Sequence, residues 1–362
     1  MVKLNLLKLG MLLRRGLNEN KMKILYGVAG EGFGHSSRAL VIADYLQKKG
    51  HEVKIMTYGQ AYDVLKNKFD IFRVKGLSLI FEKSVLKKKE TLAYNLEHFP
   101  ENLRRWRKFH ELMKEFKPDL CISDMEPIVP MLRNWYKLPL ICVDNQHRLT
   151  NLEVNVPKKY YQDYLIAREV VNAFVRKADY FIVTSFAKVP IIKKNTFIVP
   201  PIIRAKVRKV KPRDGNKILV YLTKKNKSVL KTLSGISERF VVYGYNKKKK
   251  TGNLEFKTRE SFLRDLANCR AIIGTSGFTL ISEAIYLKKP YLALPLRGQF
   301  EQVLNALFLK KAGFGDYSEE LMEKDIVYFL YKLDDYKRNL KKYHPDYNKL
   351  YKVFNKVLRK IK

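Results

Sequence analysis

The sequence predicts an α/β protein of two tandem domains, each a doubly wound parallel sheet, that face each other across a cleft. Three observations predict this class. Short apolar runs alternate with helical patterns along most of the chain, which is typical of parallel sheets covered by helices. The alternation stops at a proline-rich, basic passage and then starts again. With 362 residues the chain is long enough for two substantial cores.

The first half of the chain carries six predicted strands, each a short apolar run bounded by a turn or a helical pattern. They are expected at residues 23–28, 52–57, 72–74, 119–123, 140–144 and 178–184. Helices are expected at residues 36–49, 61–68 and 84–117. Residues 22–198 are therefore assigned to the first domain.

The second half repeats the pattern after a linker at residues 199–214, where three prolines interrupt regular structure. Strands are expected at residues 217–222, 239–243, 254–256, 270–274 and 291–295. Helices are expected at residues 228–233 and 261–268, after Gly277, and at residues 319–361. The second domain is assigned to residues 215–340, and a helix at 341–362 is expected to pack back on the first domain.

Residues 1–21 form an N-terminal extension in which leucines are mixed with Lys and Arg. The apolar stretch is broken and no small-residue cleavage site follows it, so a signal peptide is not expected. The pattern favours an upstream extension that adds nothing to the fold. A short amphipathic membrane anchor is the alternative.

The composition limits the classes of binding partner that are expected for the protein. Lys and Arg number 72 against 35 Asp and Glu, a formal charge of +37. This excess indicates nucleic acid, an anionic membrane face or phosphorylated substrates, although a lysine-rich proteome gives it without a specific partner. No apolar run is long enough to span a bilayer. Cys121, Cys142 and Cys269 stand in apolar runs without a CxxC pair, which predicts buried thiols in a reducing compartment and no zinc site.

A strand-to-helix junction in the second domain is expected to bind an anion. The strand ending at Gly274 enters a helix through a turn of small residues. The first amides of a helix have no internal partner and carry the positive end of its dipole, so phosphate oxygens bind there. An ordinary βαβ unit is the alternative. The residues of the junction are Thr275, Ser276, Gly277, Phe278 and Thr279.

Polar side chains near this junction are expected to bind a sugar. Glu283 lies one helical turn beyond Thr279 on the same face, where its carboxylate would accept hydrogen bonds from sugar hydroxyls. The loop after the next strand carries Glu301 and Gln302, which supply further polar groups.

A glycine turn in the first domain is expected to carry a catalytic base. It contains Gly32 and Gly34, but the third position of a dinucleotide fingerprint is His35. No acidic residue ends the second strand and no Walker lysine follows, so a nucleotide is not expected in this half. A histidine at a helix start is held neutral by the dipole and can accept a proton. Asp124, after a later strand, is expected to orient it; a capping or core histidine is the alternative.

The two turns together resemble inverting glycosyltransferases of the GT-B fold, which has two Rossmann-like domains. The resemblance is to relatives of the bacterial lipid-linked N-acetylglucosaminyltransferase of peptidoglycan synthesis and of plant UDP-sugar enzymes. It implies that His35 is the general base and Asp124 its partner. It also implies that Glu283 holds the ribose and that the Glu301-Gln302 and Asn305-Ala306 pairs hold the donor sugar.

Two departures from that pattern stand out. The second glycine-rich loop of the bacterial enzyme is replaced here by a lysine-rich segment that begins at Thr223, which is expected to contact donor phosphate. Retaining GT-B families carry an acidic residue eight positions before the ribose glutamate, where this chain has Thr275. An inverting, single-displacement mechanism therefore fits better.

The expected function is transfer of a hexose or N-acetylhexosamine from a nucleotide diphosphate sugar, with UDP favoured, to an acceptor hydroxyl. No cofactor and no metal ion are expected. The acceptor side is expected to include Gly32, Gly34, Asn145, Gln146 and His147.

A basic and aromatic segment at residues 103–109 suits a lipid-phosphate acceptor. It also predicts peripheral contact with an anionic membrane from the cytoplasm. A sugar-nucleotide 2-epimerase of the same fold is one alternative. A nucleic-acid-binding protein is the other, although the chain has no recognised nucleic-acid module.

Overall fold

The computed structural model describes residues 21–75, 81–82, 85–86 and 99–361. The predicted N-terminal extension, up to residue 20, lies outside the described residues, as does most of the stretch from 83 to 98. Within the described residues the α/β class is confirmed, because two seven-stranded, mostly parallel sheets account for the strands apart from one short hairpin.

The first half of the chain supplies one sheet, whose strands run in the order β3-β2-β1-β6-β7-β8-β9. Its central strands are buried on both faces, because helices cover both sides of a parallel sheet. The strands are β1 (Lys23–Val28), β2 (Glu52–Thr57), β3 (Asp70–Arg73), β4 (Phe81–Glu82), β5 (Val85–Leu86), β6 (Leu120–Asp124), β7 (Leu140–Asp144), β8 (Tyr180–Thr184) and β9 (Thr196–Val199). The helices are α1 (Phe33–Lys48), α2 (Gly59–Leu65), α3 (Phe99–Phe116), α4 (Ile128–Tyr136), α5 (Arg148–Asn151) and α6 (Tyr161–Phe174).

Two predictions in this half need correction. A helix was expected over residues 84–117, but Val85–Leu86 is the strand β5, antiparallel to β4, and among the described residues the helix α3 covers Phe99–Phe116. Pro100 suits the first turn of that helix, since its fixed φ is already helical and its missing N–H would have no partner there. The strand β9 was not expected, because it runs directly into the proline-rich passage.

The second half supplies a sheet in the order β12-β13-β11-β10-β14-β15-β16. Its strands are β10 (Lys217–Tyr221), β11 (Arg239–Tyr243), β12 (Lys249–Thr251), β13 (Leu254–Phe256), β14 (Ala271–Thr275), β15 (Tyr291–Leu294) and β16 (Gly315–Tyr317). The helices are α7 (Ala205–Arg208), α8 (Lys227–Ser234), α9 (Phe262–Asn268), α10 (Phe278–Tyr286), α11 (Phe300–Lys311), α12 (Glu323–Tyr331), α13 (Leu333–Lys342) and α14 (Lys349–Ile361). Short 3₁₀ turns lie at Lys158–Tyr160 and Arg259–Ser261.

The helical region expected at residues 319–361 consists of three helices. The last two, α13 and α14, are separated by a segment in which Pro345 cannot continue a helix. The Lys356 ammonium of α14 lies 5.5 Å from the centre of the Phe197 ring of β9.

The edge strand β12 of the second sheet is exposed and carries two lysines, which discourage pairing with another chain.

Contacts divide the chain into two compact units. Of the described residues, one unit holds residues 21–75, 99–143 and 177–180, and the other holds 144–176 and 181–361, together with the β4–β5 hairpin. The domain boundaries expected from the sequence stay a prediction. The three cysteines are buried, as expected, and burial raises the pKa of the Cys121 and Cys269 thiols to about 12.

Strand register brings the two expected turns to sheet edges. β1 and β6 are parallel neighbours with Val28 opposite Asp124, so the glycine turn and Asp124 share the carboxyl edge of the first sheet. In the second sheet Thr275 of β14 lies opposite Leu294 of β15, which places the junction and the next loop at one edge. Among the described residues, no helix is long and apolar enough to cross a bilayer.

Candidate functional site

The glycine turn after β1 is closed by backbone contacts. The Ala29 amide donates to the Asp124 carbonyl at 3.0 Å, which joins the turn to β6. A Cβ on Gly30 would lie 2.3 Å from the Tyr58 ring, so only glycine fits there. Gly32 has a φ of 83°, in the left-handed region that glycine enters without cost. The chain then enters α1, with Gly34 and His35 in its first turn.

His35 and Asp124 are brought together as predicted. His35 Nδ1 lies 2.7 Å from Asp124 Oδ1, and the Asp124 side chain is fully buried. A carboxylate can only accept, so Nδ1 carries the proton and donates it to Asp124. Nε2 then keeps its lone pair and is the atom that can take a proton from another molecule.

Arg38 completes this cluster and was not predicted as a site residue. Its Nε donates to Asp124 Oδ2 and its Nη2 to Asp124 Oδ1, both at 2.6 Å. Nη2 also lies 3.1 Å from His35 Nδ1, where two donors meet once that nitrogen carries its proton. The signal available in the sequence was spacing, because Arg38 follows His35 by three residues on one helix. Asp124 is therefore a buried anion with two cationic or polar partners from α1.

Glu126 occupies the N-terminus of the neighbouring helix α4. Its Oε1 accepts from the Ile128 amide at 3.0 Å and its Oε2 from the Val129 amide at 2.9 Å. Burial raises the pKa of Glu126 to about 7, and these two amide bonds act in the opposite direction. A Cβ on Gly27 would lie 2.7 Å from Glu126 Oε2, so the glycine in β1 makes room for this carboxylate.

The junction after β14 has the local geometry expected of an anion site. Gly277 is the N-cap of α10, and no side chain caps this helix within the described structure. Ser276 is fully buried, and its Oγ has no hydrogen-bond partner among the described residues. A Cβ on Gly277 would meet no atom within 4 Å, so the turn borders open space. The Thr275 carbonyl is held by the Tyr291 hydroxyl at 2.8 Å.

Asn305 fixes this junction from helix α11. Its Nδ2 donates to the Ser276 carbonyl at 2.8 Å, and its Oδ1 accepts from Arg148 Nη2 at 2.7 Å. Arg148 is fully buried, and its guanidinium carbon lies 4.6 Å from the centre of the Phe278 ring. The guanidinium thus holds Asn305 and the first residue of α10 in fixed positions, which the sequence did not predict.

The two carboxylates expected to bind sugar hydroxyls already have protein partners. Glu283 accepts from Arg204 Nε at 2.5 Å and from Arg204 Nη2 at 2.7 Å. Glu301 accepts from Asn145 Nδ2 at 2.7 Å and from Gln146 Nε2 at 3.2 Å. The structure therefore brings two predicted acceptor-side residues onto a predicted donor-side residue.

The remaining predicted residues differ in their surroundings. His147 is buried, with Nδ1 at 2.6 Å from Asp144 and Nε2 at 3.0 Å from the Val175 carbonyl, so neither ring nitrogen faces solvent. Gln302 accepts from the Leu296 amide at 3.2 Å and donates to Gln299 at 2.6 Å. Thr223 is exposed in the loop after β10, and Thr279 is half-buried.

Sequence similarity to known proteins extends over most of the chain. The model of the family described as Glycosyl transferase family 1 matches residues 22–334. A protein of Methanosarcina acetivorans described as an uncharacterized glycosyltransferase is 25% identical over 325 residues, which cover 81% of this chain and 85% of the relative. A Methanosarcina mazei protein with the same description is 24% identical over 327 residues, with the same coverage of each chain.

Solved structures share the fold. The calicheamicin glycosyltransferase CalG4 superposes with a TM-score of 0.63 at 16% identity, covering 89% of this chain and 93% of its own. The glycosyltransferase VinC, solved in complex with dTDP, gives a TM-score of 0.58 at 13% identity, covering 94% of this chain and all of its own. These likenesses confirm the predicted GT-B fold. Because the family match extends over most of the sequence, the chain belongs to glycosyl transferase family 1 and is a glycosyltransferase.

Proposed function

We propose that this glycosyltransferase transfers a hexose or N-acetylhexosamine from a nucleotide diphosphate sugar to an acceptor hydroxyl, with inversion and without a metal ion. A UDP-sugar is the donor to test first. The observation that carries the proposal is the 2.7 Å bond from His35 Nδ1 to the buried Asp124 carboxylate. That bond fixes the ring and leaves Nε2 as a base.

The reaction is a single displacement. The acceptor oxygen bonds to the anomeric carbon while the bond from that carbon to the diphosphate breaks, and the diphosphate leaves with the electron pair. Nε2 of His35 takes the acceptor proton, and Asp124 stabilises the imidazolium that forms. Arg38 holds Asp124 in position through two hydrogen bonds. Attack opposite the leaving group inverts the anomeric centre.

The donor half of the proposal uses the junction after β14. Phosphate oxygens would accept from the first amides of α10 and from the Ser276 hydroxyl, which has no partner among the described residues. Glu283 would hold the ribose, and Glu301 with Gln302 would hold the sugar. Thr223 stands in the exposed loop that would contact phosphate. The amide dipoles would stabilise the diphosphate as its charge grows.

For the acceptor, we assign contact to Gly32, Gly34, Asn145 and Gln146. His147 supports their segment rather than touching substrate, since both of its ring nitrogens have protein partners. The bonds from Asn145 and Gln146 to Glu301 leave lone pairs on that carboxylate for hydroxyls.

The test is binding followed by product analysis. Purified protein is screened for thermal stabilisation by UDP-, GDP- and dTDP-sugars, and the anomeric configuration of the transferred sugar is read by NMR. We expect a response to at least one sugar nucleotide, a β-linked product from an α-linked donor, and unchanged turnover in EDTA. No response to any sugar nucleotide would contradict the proposal. A retained anomeric configuration would refute inversion, and donor isomerisation without transfer would identify a 2-epimerase.

Contact with an anionic membrane from the cytoplasm belongs to the same proposal, with a lipid-phosphate-linked acceptor. Trp135 and Met131 of α4 are 72% and 43% exposed on one helix face. The His110 ring of α3 lies 5.3 Å from the Trp135 ring, and Arg107 and Lys108 of α3 are exposed. An exposed tryptophan beside cations suits the phosphate level of a bilayer.

Vesicle co-sedimentation tests this contact. We expect binding to phosphatidylcholine vesicles that contain phosphatidylglycerol, weakened by salt and by Trp135→Ser. The control Tyr331→Ser removes an aromatic side chain of similar exposure from α12 and should bind as wild type does. Equal binding to neutral and anionic vesicles, or no effect of Trp135→Ser, would contradict the assignment.

A further inference from the structure

The unit that holds residues 144–176 and 181–361 contains a groove that is lined by none of the residues assigned to glycosyl transfer. The groove has a volume of about 860 Å³ and lies among three segments: the loop after β8, the strand β9 and the connection between α13 and α14. Most of its lining is apolar, and this part includes Phe186, Ile191, Phe197, Ile198 and Pro345. A concave, mainly apolar site of this size is typical of a site for a small organic molecule.

Ring contacts and a hydrogen bond fix two walls of the groove. The Phe186 ring, in the loop after β8, stacks on the Phe278 ring with the two centres 5.8 Å apart. In the connection between α13 and α14, the Tyr343 carbonyl accepts from Lys288 Nζ at 2.5 Å, and the Tyr343 ring lies 5.0 Å from the Phe314 ring. The groove is therefore preformed, so a ligand can bind without first ordering these segments.

Two isoleucines in the loop after β8 are held in an exposed position. Ile191, which lines the groove, is 48% exposed, and the next residue, Ile192, is 64% exposed. Their backbone is fixed, because the Ile192 amide donates to the Asn151 carbonyl at 2.9 Å and the Glu153 amide donates to the Pro190 carbonyl at 3.0 Å. A hydrocarbon chain in the groove would cover apolar surface that the fold itself leaves in water.

The polar part of the groove is basic. Lys188, Lys342 and Lys349 line it and are exposed. Within the described part of the chain, the ammonium groups of Lys188 and Lys342 make no hydrogen bond or ion pair. The described lining has one acidic residue, Asp346, whose carboxylate accepts from Lys352 Nζ at 2.8 Å. The groove therefore offers cations to a ligand that has an anionic group.

This charge decides among the possible occupants. Residues 1–20 are rich in leucine, but their Lys and Arg outnumber their single acidic residue, Glu19. A second copy of the chain brings a formal charge of +37. Because like charges repel at contact distance, the lysines of the groove disfavour both of these occupants. The occupant that matches the groove has a hydrocarbon chain and a negative charge.

We propose that the groove binds a lipid phosphate. The hydrocarbon chain lies against Phe186, Phe197 and Ile198, and the phosphate is held by Lys188 and Lys342. Binding removes apolar surface of both the ligand and the groove from water, and the two ammonium groups donate to phosphate oxygens. The inference goes beyond the proposed function, since it concerns binding within one unit and requires no nucleotide sugar.

Calorimetric titration of the full chain with dodecyl phosphate, below its critical micelle concentration, tests the inference. We expect saturable binding at a single site. Dodecylphosphocholine, whose head group has no net charge, should bind about tenfold more weakly, because the lysines then lose their anion. Inorganic phosphate, which has no chain, should give no measurable binding.

Variants locate the site. The double variant Lys188→Ala with Lys342→Ala should weaken dodecyl phosphate about tenfold and leave dodecylphosphocholine unchanged. Ile191→Ser should weaken both ligands by about the same factor, because it removes apolar contact from the chain. Lys324→Ala and Val327→Ser are the matched controls, since they remove an exposed lysine and an exposed apolar side chain from α12 and should change neither affinity.

A fluorescent label shows whether something else already occupies the groove. The three native cysteines are buried, so a polarity-sensitive dye will react with the new thiol of Ile192→Cys. We expect emission typical of water in the ligand-free protein and a blue shift when dodecyl phosphate is added.

Several results would overturn the inference. Absence of dodecyl phosphate binding would do so, as would equal affinity for dodecylphosphocholine or binding of inorganic phosphate alone. Equal weakening by Lys324→Ala would show that the general surface charge, and not the groove, attracts the ligand. Blue-shifted emission without ligand would mean that the chain itself covers the groove, and a blue shift that appears together with dimers in light scattering would mean that a second copy does. None of these results bears on glycosyl transfer, because no nucleotide sugar is present.

Discussion

The turn after β1 and the junction after β14 each connect the carboxyl end of an interior parallel strand to a helix, yet the protein has filled one and left the other open. Beyond β1, Arg38 and His35 close on the Asp124 carboxylate. Beyond β14, Ser276 has no partner for its hydroxyl among the described residues, and Gly277 borders open space. The first turn holds the His35 imidazole in one tautomer. The second has the vacant donors that an anion requires.

The helix α4 shows what an anion does at such an opening. At α4 the acceptor is a side chain of the protein itself, since the Glu126 carboxylate accepts from the Ile128 and Val129 amides in the first turn. In α10 no side chain of the described structure takes that place. The comparison shows two uses of the same strand-to-helix geometry. Where a side chain of the protein accepts from the first helix amides, they stabilise the fold; where none does, they are available to a substrate.

The largest effect is expected from removing the base of the filled turn. His35→Ala should lower turnover by about 10² to 10⁴ because general-base assistance is lost. Nucleotide affinity should stay unchanged. Steady-state kinetics with saturating donor measure the loss. His110→Ala is the control, because it removes a histidine of α3 whose ring is hydrogen-bonded to the Tyr136 hydroxyl of α4. Turnover of His35→Ala within about threefold of wild type would show that the base lies elsewhere.

Arg38 tests whether the filled turn depends on its buried ion pair. Arg38→Met should destabilise the protein by about 3 to 5 kcal/mol, since it leaves Asp124 buried without its two-point partner. Urea unfolding measures the change. In a background of Asp124→Asn the same substitution should cost much less, because the charge to be compensated is gone. A loss of equal size in both backgrounds would mean that packing, and not the ion pair, accounts for it.

The contribution of Glu126, the carboxylate at the N-terminus of α4, can be tested through the pH dependence of stability. The pKa of this carboxyl is raised from 4.5 to about 7 in the folded protein, so the folded state binds more protons than the unfolded state between these values. Stability from this group is thus greatest at low pH and is lost as pH rises through 7. Between these two pH limits, the contribution of Glu126 to the free energy of unfolding changes by about 3 kcal/mol.

The variant Glu126→Gln resembles the protonated acid and should lack this pH dependence. The unfolding free energy of wild type minus variant should therefore fall by about 3 kcal/mol from below pH 4.5 to above pH 7. Denaturant titrations across that range measure it. A difference that is flat or rises with pH would show that the pKa of Glu126 is not raised in the folded protein.

The smallest effect is expected at the open junction. Asn305→Ala removes the bond that holds the Ser276 carbonyl, so nucleotide affinity should fall about tenfold as the junction loses its fixed geometry. The control Asn253→Ala removes an amide that holds three carbonyls elsewhere in the same unit. It should lower stability and leave nucleotide affinity unchanged. Equal affinity in the two variants would mean that Asn305 has no special part in the junction.

The sequence alone was enough for the elements whose signal is local. The bounds of β1, β2, β7, β11 and β13 match the prediction, because each is a short apolar run ended by a turn. His35 and Asp124 were also paired correctly, since both follow strands that end at one sheet edge. The hairpin of β4 and β5 was missed, because so short a pair has no period to detect.

The partners of the site residues were decided by the tertiary structure. Arg38 reaches across 86 positions to Asp124, Arg204 across 79 to Glu283, and Arg148 across 157 to Asn305. A composition with 72 Lys and Arg gives no local reason to choose these three. Burial makes the choice, because a carboxylate or amide removed from water must be paired by whatever donor the fold brings to it. The sequence determined where strands end and which turns follow, and packing determined which cations close around them.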